Sequence, residues 1–336
     1  MMNKKKSLQI GLIGLGRMGR THLRHLISQV KGVNVAAVAD LVCRKEDFNN
    51  EFGEIPFFND AQKILENPRI DVVVITTPTS THKPLVEKAI HYRKHIFCEK
   101  PLDLSLEVTE ELLNKAASAG VKLMLGFNRR FDPDFMQAQQ SVAAGKIGRI
   151  QIIKITNRDP TIPSIEFIKT SGGMFMDFSI HDLDMARFIM NKKIVEIYAK
   201  GLVFMDKSVE EAGDIDTALI TLTFEDGSYA VIDNSRKAVY GYDQRLEIFG
   251  DEGMILVDNN LYHQNILYDK NGIHKALPLN NFMARFERSY LKEMQLFTEA
   301  IQSGLPLPVS HEDIMAATTL AYAAQKSLQS GMPVKL

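Results

Sequence analysis

Leu8-Gln9-Ile10-Gly11-Leu12-Ile13-Gly14-Leu15-Gly16-Arg17-Met18-Gly19 is the stretch that decides the fold. Residues 8–13 form a short apolar run and predict a strand. Met18, His22, Leu23, Leu26 and Ile27 then recur at helical steps, which predicts a helix from about Arg17 to Gln29. A second apolar run, Val33–Ala39, predicts a strand that ends at Asp40, 21 residues beyond Gly19. A lone G-x-G-x-x-G carries little weight. Set between a strand and a helix, with an acid on the tip of the next strand, it is a dinucleotide-binding fingerprint. Gly14 permits the tight turn, Gly16 lets backbone amides approach a pyrophosphate, and Gly19 allows the helix to pack on the strand. Arg17 and Met18 open the helix, whose partly positive N-terminus favours a diphosphate. Asp40 is placed to accept from adenosine ribose hydroxyls. A 2′-phosphate there would meet a carboxylate, so NAD is expected rather than NADP, with Arg44 close enough to leave some NADP use open.

The alternation continues outward from this unit. Helices are predicted at about Arg44–Phe52, Ala61–Glu66, Lys83–Tyr92 and Leu106–Ala119, with strands at Asp71–Ile75, His95–Phe97 and Val121–Leu125. This is the grammar of an α/β, doubly wound parallel sheet of the Rossmann type, expected to span residues 1–127. Ligands of such sheets bind beyond the carboxyl ends of the strands. Thr76–Thr79, Cys98-Glu99-Lys100-Pro101 and Asn128-Arg129-Arg130 all fall at such ends. From residue 128 the pattern changes. A helix (Phe131–Ala144) and a strand (Arg149–Thr156) precede the loop Asn157-Arg158-Asp159-Pro160. Strands follow at about 194–204, 216–224, 228–235, 242–249 and 252–257, and two helices, about 282–303 and 310–329, finish the chain. The expected second domain, 128–336, is α+β with a largely antiparallel sheet, binding substrate and other subunits.

Composition narrows the function classes. The chain has 336 residues, enough for two cores, with 45% hydrophobic and 24% charged residues, as in a soluble globular protein. A net charge of −1 gives no global attraction to nucleic acid or to an anionic membrane. The basic run Lys4-Lys5-Lys6 before an apolar segment superficially resembles a signal peptide, but glycines interrupt the segment and no cleavage site follows. No stretch reaches the length of a membrane span. Two cysteines, Cys43 and Cys98, make no disulfide framework. A cytoplasmic enzyme is expected.

A second stretch carries the chemistry. In Gly172–Ile189, Met174, Phe178, Met185 and Phe188 recur at helical steps, and Asp177, His181 and Asp184 follow one another at four and three residues. On one helix these three share a ridge among apolar neighbours. Buried charges are costly unless paired or functional, so the ridge is read as a site. A nicotinamide cofactor takes hydride from a carbon, and an alcohol proton must leave with it. His181 is the natural base, with Asp177 orienting it, and a positioned base is worth roughly 10²–10⁴-fold. Lys100, held extended by Pro101 at a strand end, is placed to polarise the same oxygen.

Gly14–Gly19, Glu99-Lys100-Pro101 and Asp177-x-x-x-His181 together resemble the glucose–fructose oxidoreductase/inositol dehydrogenase family, over essentially the whole chain. Three longer stretches, Gly126–Asp132, Ser179–Arg187 and Ile232–Arg245, look like those of its bacterial inositol 2-dehydrogenases. By that resemblance Lys100, Asp177 and His181 match the catalytic trio, while Asp184, Asn157 and Tyr242 would touch substrate hydroxyls, with Arg129 beside them. Thr77, Pro78 and His82 match the cofactor loop, and Glu99 joins the cofactor side. The resemblance implies oxidation of myo-inositol to its 2-keto product with NAD, by a homotetramer built through sheets of the second domain. Asp216–Phe224, with Ala218, Ile220, Leu222 and Phe224 on one face and Thr217, Leu219, Thr221 and Thr223 on the other, is the strand expected to serve that assembly. The rival readings are another inositol isomer or an aldose as substrate, a nucleotide-binding regulator without turnover, and an NAD-dependent glycosidase. No twin-arginine leader marks the chain as an exported member.

Other residues are expected to be structural. His91, His95 and Cys98 lack the spacing and the fourth ligand of a zinc site, so no metal is expected. His22 and His25 are assigned to the packing and solvent faces of the first helix, Cys43 and Cys98 to buried apolar positions, and Glu210-Glu211 to a solvated loop.

Overall fold

The computed structural model describes residues 7–336, so Lys4-Lys5-Lys6 lies outside the described residues. The chain forms two compact units. One takes the residues up to Asn128 together with Ser289–Met315, and the other takes Arg129–Arg288 with Ala316–Leu336.

The first unit alternates as the sequence predicts. Its elements are β1 (Leu8–Ile13), α1 (Arg17–Ser28), β2 (Val33–Ala39), α2 (Lys45–Phe52), β3 (Phe57–Phe58), α3 (Gln62–Leu65), β4 (Val72–Ile75), α4 (His82–His91), β5 (His95–Cys98), α5 (Leu106–Ser118) and β6 (Leu123–Leu125). The strands form one parallel sheet in the order β3-β2-β1-β4-β5-β6. All four residues of β4 are buried, which is why that strand reads as an uninterrupted Val-Val-Val-Ile run. The strand order reverses between β1 and β4, the switch point at which such sheets bind ligands.

Ser289–Met315 completes this unit, which sequence order alone assigned to the second domain. Phe297 packs on Phe97 with ring centroids 5.6 Å apart, and Tyr290 stands edge-on to His22 at 5.9 Å. Lys122 Nζ donates to the carbonyls of Ala300 and Leu305, and Ser289 Oγ bonds the Asn128 carbonyl. His22 and His25 are both buried, so the solvent face expected for His25 is corrected. His22 stands three residues before it on the same side of α1, and helical spacing alone does not say how wide that buried face is.

The second unit contains α6 (Pro133–Ala143), β7 (Ile150–Arg158), α7 (Ile165–Ser171), α8 (Ile180–Met190), β8 (Ile194–Leu202), β9 (Thr217–Phe224), β10 (Tyr229–Ser235), β11 (Asp243–Gly250), β12 (Met254–Val257), the hairpin β13 (Ile266–Asp269) and β14 (Gly272–Lys275), and β15 (Val334–Lys335). Seven strands form a sheet in the order β12-β11-β7-β10-β9-β8-β15. Only β7 and β10 pair in parallel; the other neighbours are antiparallel. Ala218, Ile220, Leu222 and Phe224 of β9 are buried, as their alternation predicts.

The ridge differs from a single helix. Gly172 and Gly173 both take positive φ, 86° and 77°, and end α7. Met174–Ser179 then winds as a π-helix before α8 begins. Periodicity extended one helix through the glycines, because a wider turn shifts the apolar spacing too little to register in six residues.

Candidate active site

The first unit carries the features of a nucleotide site. Gly14 has φ +101°, and a Cβ there would lie 2.8 Å from Thr77 Cγ2. Thr76 Oγ1 donates to the Gly14 carbonyl at 2.7 Å, fixing the turn. A Cβ on Gly19 would strike the Gly14 carbonyl oxygen at 2.0 Å, so α1 packs on the turn only through glycine. Gly16 is different: nothing lies within 4 Å of its added Cβ. The fold therefore does not demand glycine at Gly16, and the open space above it suits a close-lying ligand. Gly16 also N-caps α1 without a side-chain hydrogen bond, and the first turn holds no acid. An anion fits there on both counts.

Asp40 follows β2. Its Oδ2 accepts from the Leu15 amide at 2.7 Å, and Oδ1 accepts from the Val42 and Cys43 amides at 2.9 and 2.7 Å. Burial pushes this carboxyl up, but the Cys43, Leu15 and Val42 amides and the Arg20 charge outweigh it and hold it below the usual range. A carboxylate offers about four lone-pair sites, so one remains for a ribose hydroxyl. Arg44, the residue that kept NADP open, makes two bonds to Asp47 at 2.8 and 2.9 Å. The donor set fits NAD.

Of the other residues expected on the cofactor side, Gly16, Arg17 and Pro78 are exposed, and Met18, Thr77, Glu99 and Lys100 are half-buried. His82 is buried, bonded through Nε2 to the Thr77 carbonyl and through Nδ1 to the Pro101 carbonyl, both at 2.9 Å. It braces two strand-end loops against each other. Glu99 Oε1 bonds His22 Nε2 at 2.8 Å, and the same carboxylate lies against Gly126, where a Cβ would meet it at 3.1 Å. The Lys100–Pro101 peptide is cis.

In the second unit the ridge divides into buried residues and half-buried ones. Asp184 is buried and takes both Nε and Nη2 of Arg130, at 2.8 and 2.6 Å. Asp182, one residue past His181, is fully buried: Oδ1 takes Arg129 Nη1, and Oδ2 takes the Asn157 and Asn234 amides at 2.7 and 2.9 Å. Burial raises its carboxyl, opposed by the charge of Arg129 and the two amides. Gln244 Nε2 bonds Asn157 Oδ1, and Ser179 Oγ bonds Asn234 Oδ1 at 2.5 Å, so the network ties α8 to β7, β10 and β11. Arg129, Asn157, Asp184 and Tyr242, expected on the substrate side, are all buried here, and the first three are held by partners within the protein. Burial raises the Tyr242 hydroxyl well above its usual value. Asp177 and His181 keep partial exposure, 14% for the Asp177 side chain. A carboxylate and an imidazole that solvent can reach are groups able to take up and release a proton.

Sequence reasoning passed over Asp182, Asn234, Gln244, Arg130, Arg236 and Asp214. Asp182 lay inside the ridge, but its partners come from two strands, β7 and β10, and from the turn that carries Arg129, and share no spacing with it. Arg236 stood in the Ile232–Arg245 stretch, where no periodicity separates a buried arginine from an exposed one.

Residues 8–127 match the family described as "Oxidoreductase family, NAD-binding Rossmann fold", and residues 135–256 match "GFO/IDH/MocA C-terminal domain". The chain is 43% identical to the uncharacterized oxidoreductase YrbE of Bacillus subtilis, over 98% of this chain and 97% of that one. It is 41% identical to the myo-inositol 2-dehydrogenase of Thermotoga maritima, over 98% of each. Among solved structures, the scyllo-inositol dehydrogenase of Lactobacillus casei with bound NAD(H) and scyllo-inositol is similar at a TM-score of 0.90 and 31% identity, covering 98% of this chain and 99% of that one.

Proposed function

The chain belongs to the GFO/IDH/MocA family of oxidoreductases with an NAD-binding Rossmann fold, and on that premise we propose that it is an NAD-dependent inositol 2-dehydrogenase, oxidising one hydroxyl-bearing carbon of myo-inositol to the ketone. The observation that carries this reading is the division of the ridge: Asp182 and Asp184 are neutralised by Arg129 and Arg130, while Asp177 and His181 remain partly exposed. NAD, when bound, supplies the hydride acceptor. In this reading His181 takes the hydroxyl proton, Asp177 orients the imidazole and stabilises its cationic form, and Lys100 has the role of polarising the oxygen as it becomes a carbonyl. Gly14, Gly16 and the α1 N-terminus hold the diphosphate, and Asp40 holds the ribose. A relative at 41% identity acts, by its name, on myo-inositol.

A second reading keeps the chemistry and changes the isomer, as the structure solved with scyllo-inositol suggests. Absorbance at 340 nm with NAD and myo-, scyllo- and chiro-inositol and glucose separates the two. Highest kcat/KM with myo-inositol is expected. No NADH with any of them would refute the reading. His181→Ala is expected to lower kcat by about 10²-fold or more, with NAD affinity kept. Near-normal kcat in that variant would remove His181 as the base.

The assembly we infer is a homotetramer through the outer face of the second unit's sheet. Thr223, Tyr229, Ile152, Phe249 and Met254 are register partners across β9, β10, β7, β11 and β12, and Tyr229, Phe249 and Met254 are exposed. A row of that kind suits another subunit. Light scattering at micromolar concentration is expected to give about four times the 37.8 kDa chain mass; the single-chain mass would contradict it. Two unbridged cysteines fit the cytoplasm.

A further inference from the structure

Arg236 is the largest fully buried side chain among the described residues, with 0% exposure. It follows β10 directly, and its backbone amide donates to the Asp216 carbonyl at 2.8 Å. A guanidinium does not shed its proton in a protein, so a buried arginine must find negative charge. Here it meets two carboxylates. Nη2 donates to Asp214 Oδ2 at 3.1 Å, and Nη1 lies 3.5 Å from Asp177 Oδ2. Its cation also sits 5.8 Å from the Phe178 ring centroid.

The two carboxylates have different duties. Asp214 Oδ1 accepts the Met174 amide at 2.9 Å, and a Cβ on Gly173 would meet that oxygen at the same distance. Asp214 is thus the staple for the start of the π-helix. Arg236 Nε and Nη1 have no hydrogen-bond partner, and Nη1 is the nitrogen turned toward Asp177. A residue needed only to anchor Asp214 has no use for that remaining nitrogen or for a charge so expensively buried. The π-helix carries Asp177 between the staple and His181, and Arg236 spans the two.

We propose that Arg236 is a positioning residue for the reaction: through its fork it fixes where the Asp177 carboxylate points and supplies the standing positive charge beside it, and so sets the geometry in which Asp177 orients His181. This rests on the assignment of Asp177 and His181 above. Arg236 touches no reacting atom in this scheme.

A double-mutant cycle on Arg236→Met and Asp177→Asn, read in kcat at saturating polyol, tests it. NAD titration and thermal melting serve as controls. Arg236→Met alone is expected to lower kcat by about 10²-fold, the scale of a misplaced catalytic group, with a smaller change in KM and unchanged NAD affinity. In the Asp177→Asn background the same change is expected to cost less than about threefold, because the group it positions is gone. Arg236→Lys, keeping the charge and losing the fork, is expected to fall between. If Arg236→Met does not fold, Arg236→Lys replaces it in the cycle, with the same non-additivity expected. Equal losses in both backgrounds, or a lower melting temperature with kcat intact, would overturn the proposal. A near-normal kcat in Asp177→Asn alone would instead refute the assignment of Asp177, and the role of Arg236 with it.

Discussion

Glu293→Gln turns a buried proton into a measurable slope. Glu293 lies on the helix Glu287–Ser303 with 0% exposure, and neither carboxyl oxygen has a hydrogen-bond partner. Burial pushes this carboxyl well above 4.5, and the charge of Glu99 pushes the same way. The folded protein therefore holds the neutral acid while the unfolded chain releases its proton at the ordinary value. Stability from this group is fully present below about pH 4.5 and is lost as pH rises toward the folded value. Inside that window the loss is about 1.4 kcal/mol per pH unit for one proton. Glutamine keeps the shape and neutrality of the protonated acid and does not titrate. Urea unfolding of both proteins at half-unit steps from pH 4 to 8 is expected to give curves that are close at the acid end. They then diverge, with the variant gaining up to about 1.4 kcal/mol per unit until the folded protein also releases the proton. Parallel curves would show that Glu293 is ionised in the folded state and that the burial argument fails.

Three further outcomes follow from other residues. Asp40→Ser is expected to shift the kcat/KM ratio of NAD to NADP by at least about tenfold toward NADP, because a carboxylate facing the 2′-phosphate is removed; an unchanged ratio contradicts the role of Asp40. His25 is lowered to about 4, first by burial and then by His22, so the unfolded chain binds its proton first and stability falls as pH drops from about 6.5 to 4. His25→Phe should flatten that acid limb in urea titrations, and an unaltered limb excludes His25 as its source. Arg285→Met strips the buried Asp132 of a cation whose Nη1 lies 2.6 Å away, and unfolding free energy is expected to fall by about 3–5 kcal/mol; a loss under about 1 kcal/mol would show that Asp132 needs only its amide bonds at the start of α6.

The first unit was legible because its signals are local. Gly14, Gly16 and Gly19 lie within six residues, and every strand of the sheet except the two-residue β3 announces itself by an apolar run. Asp177, His181 and Lys100 were singled out for a different reason, since their types and spacing resemble those of a known family. What stayed hidden depends on distance along the chain. Asp182 draws Arg129, Asn157 and Asn234 from 53, 25 and 52 residues away. No spacing rule connects them, so nothing in the sequence shows that the Asn157 amide donates to Asp182. The π-helix escaped because Gly172 and Gly173 lie next to an apolar pattern that continues unbroken to either side. Helix Glu287–Ser303 was found, but its burial partner was not: nothing in its sequence says that Phe297 belongs against Phe97 rather than in the second sheet.

That helix also sets a clock on synthesis. The nucleotide-binding unit is closed by Ser289–Met315, and Ser289 is made 161 residues after Asn128. At roughly 5–20 residues per second, a ribosome needs about 8–32 s to cover that distance. Through that interval Phe97 and Lys122 wait without Phe297, Ala300 and Leu305. The Rossmann sheet therefore emerges first and is completed late, after most of the second unit has appeared. A fragment ending at residue 128 corresponds to that waiting state, and it should expose the apolar face beside Phe97 to chaperones in the cell and to aggregation in the test tube.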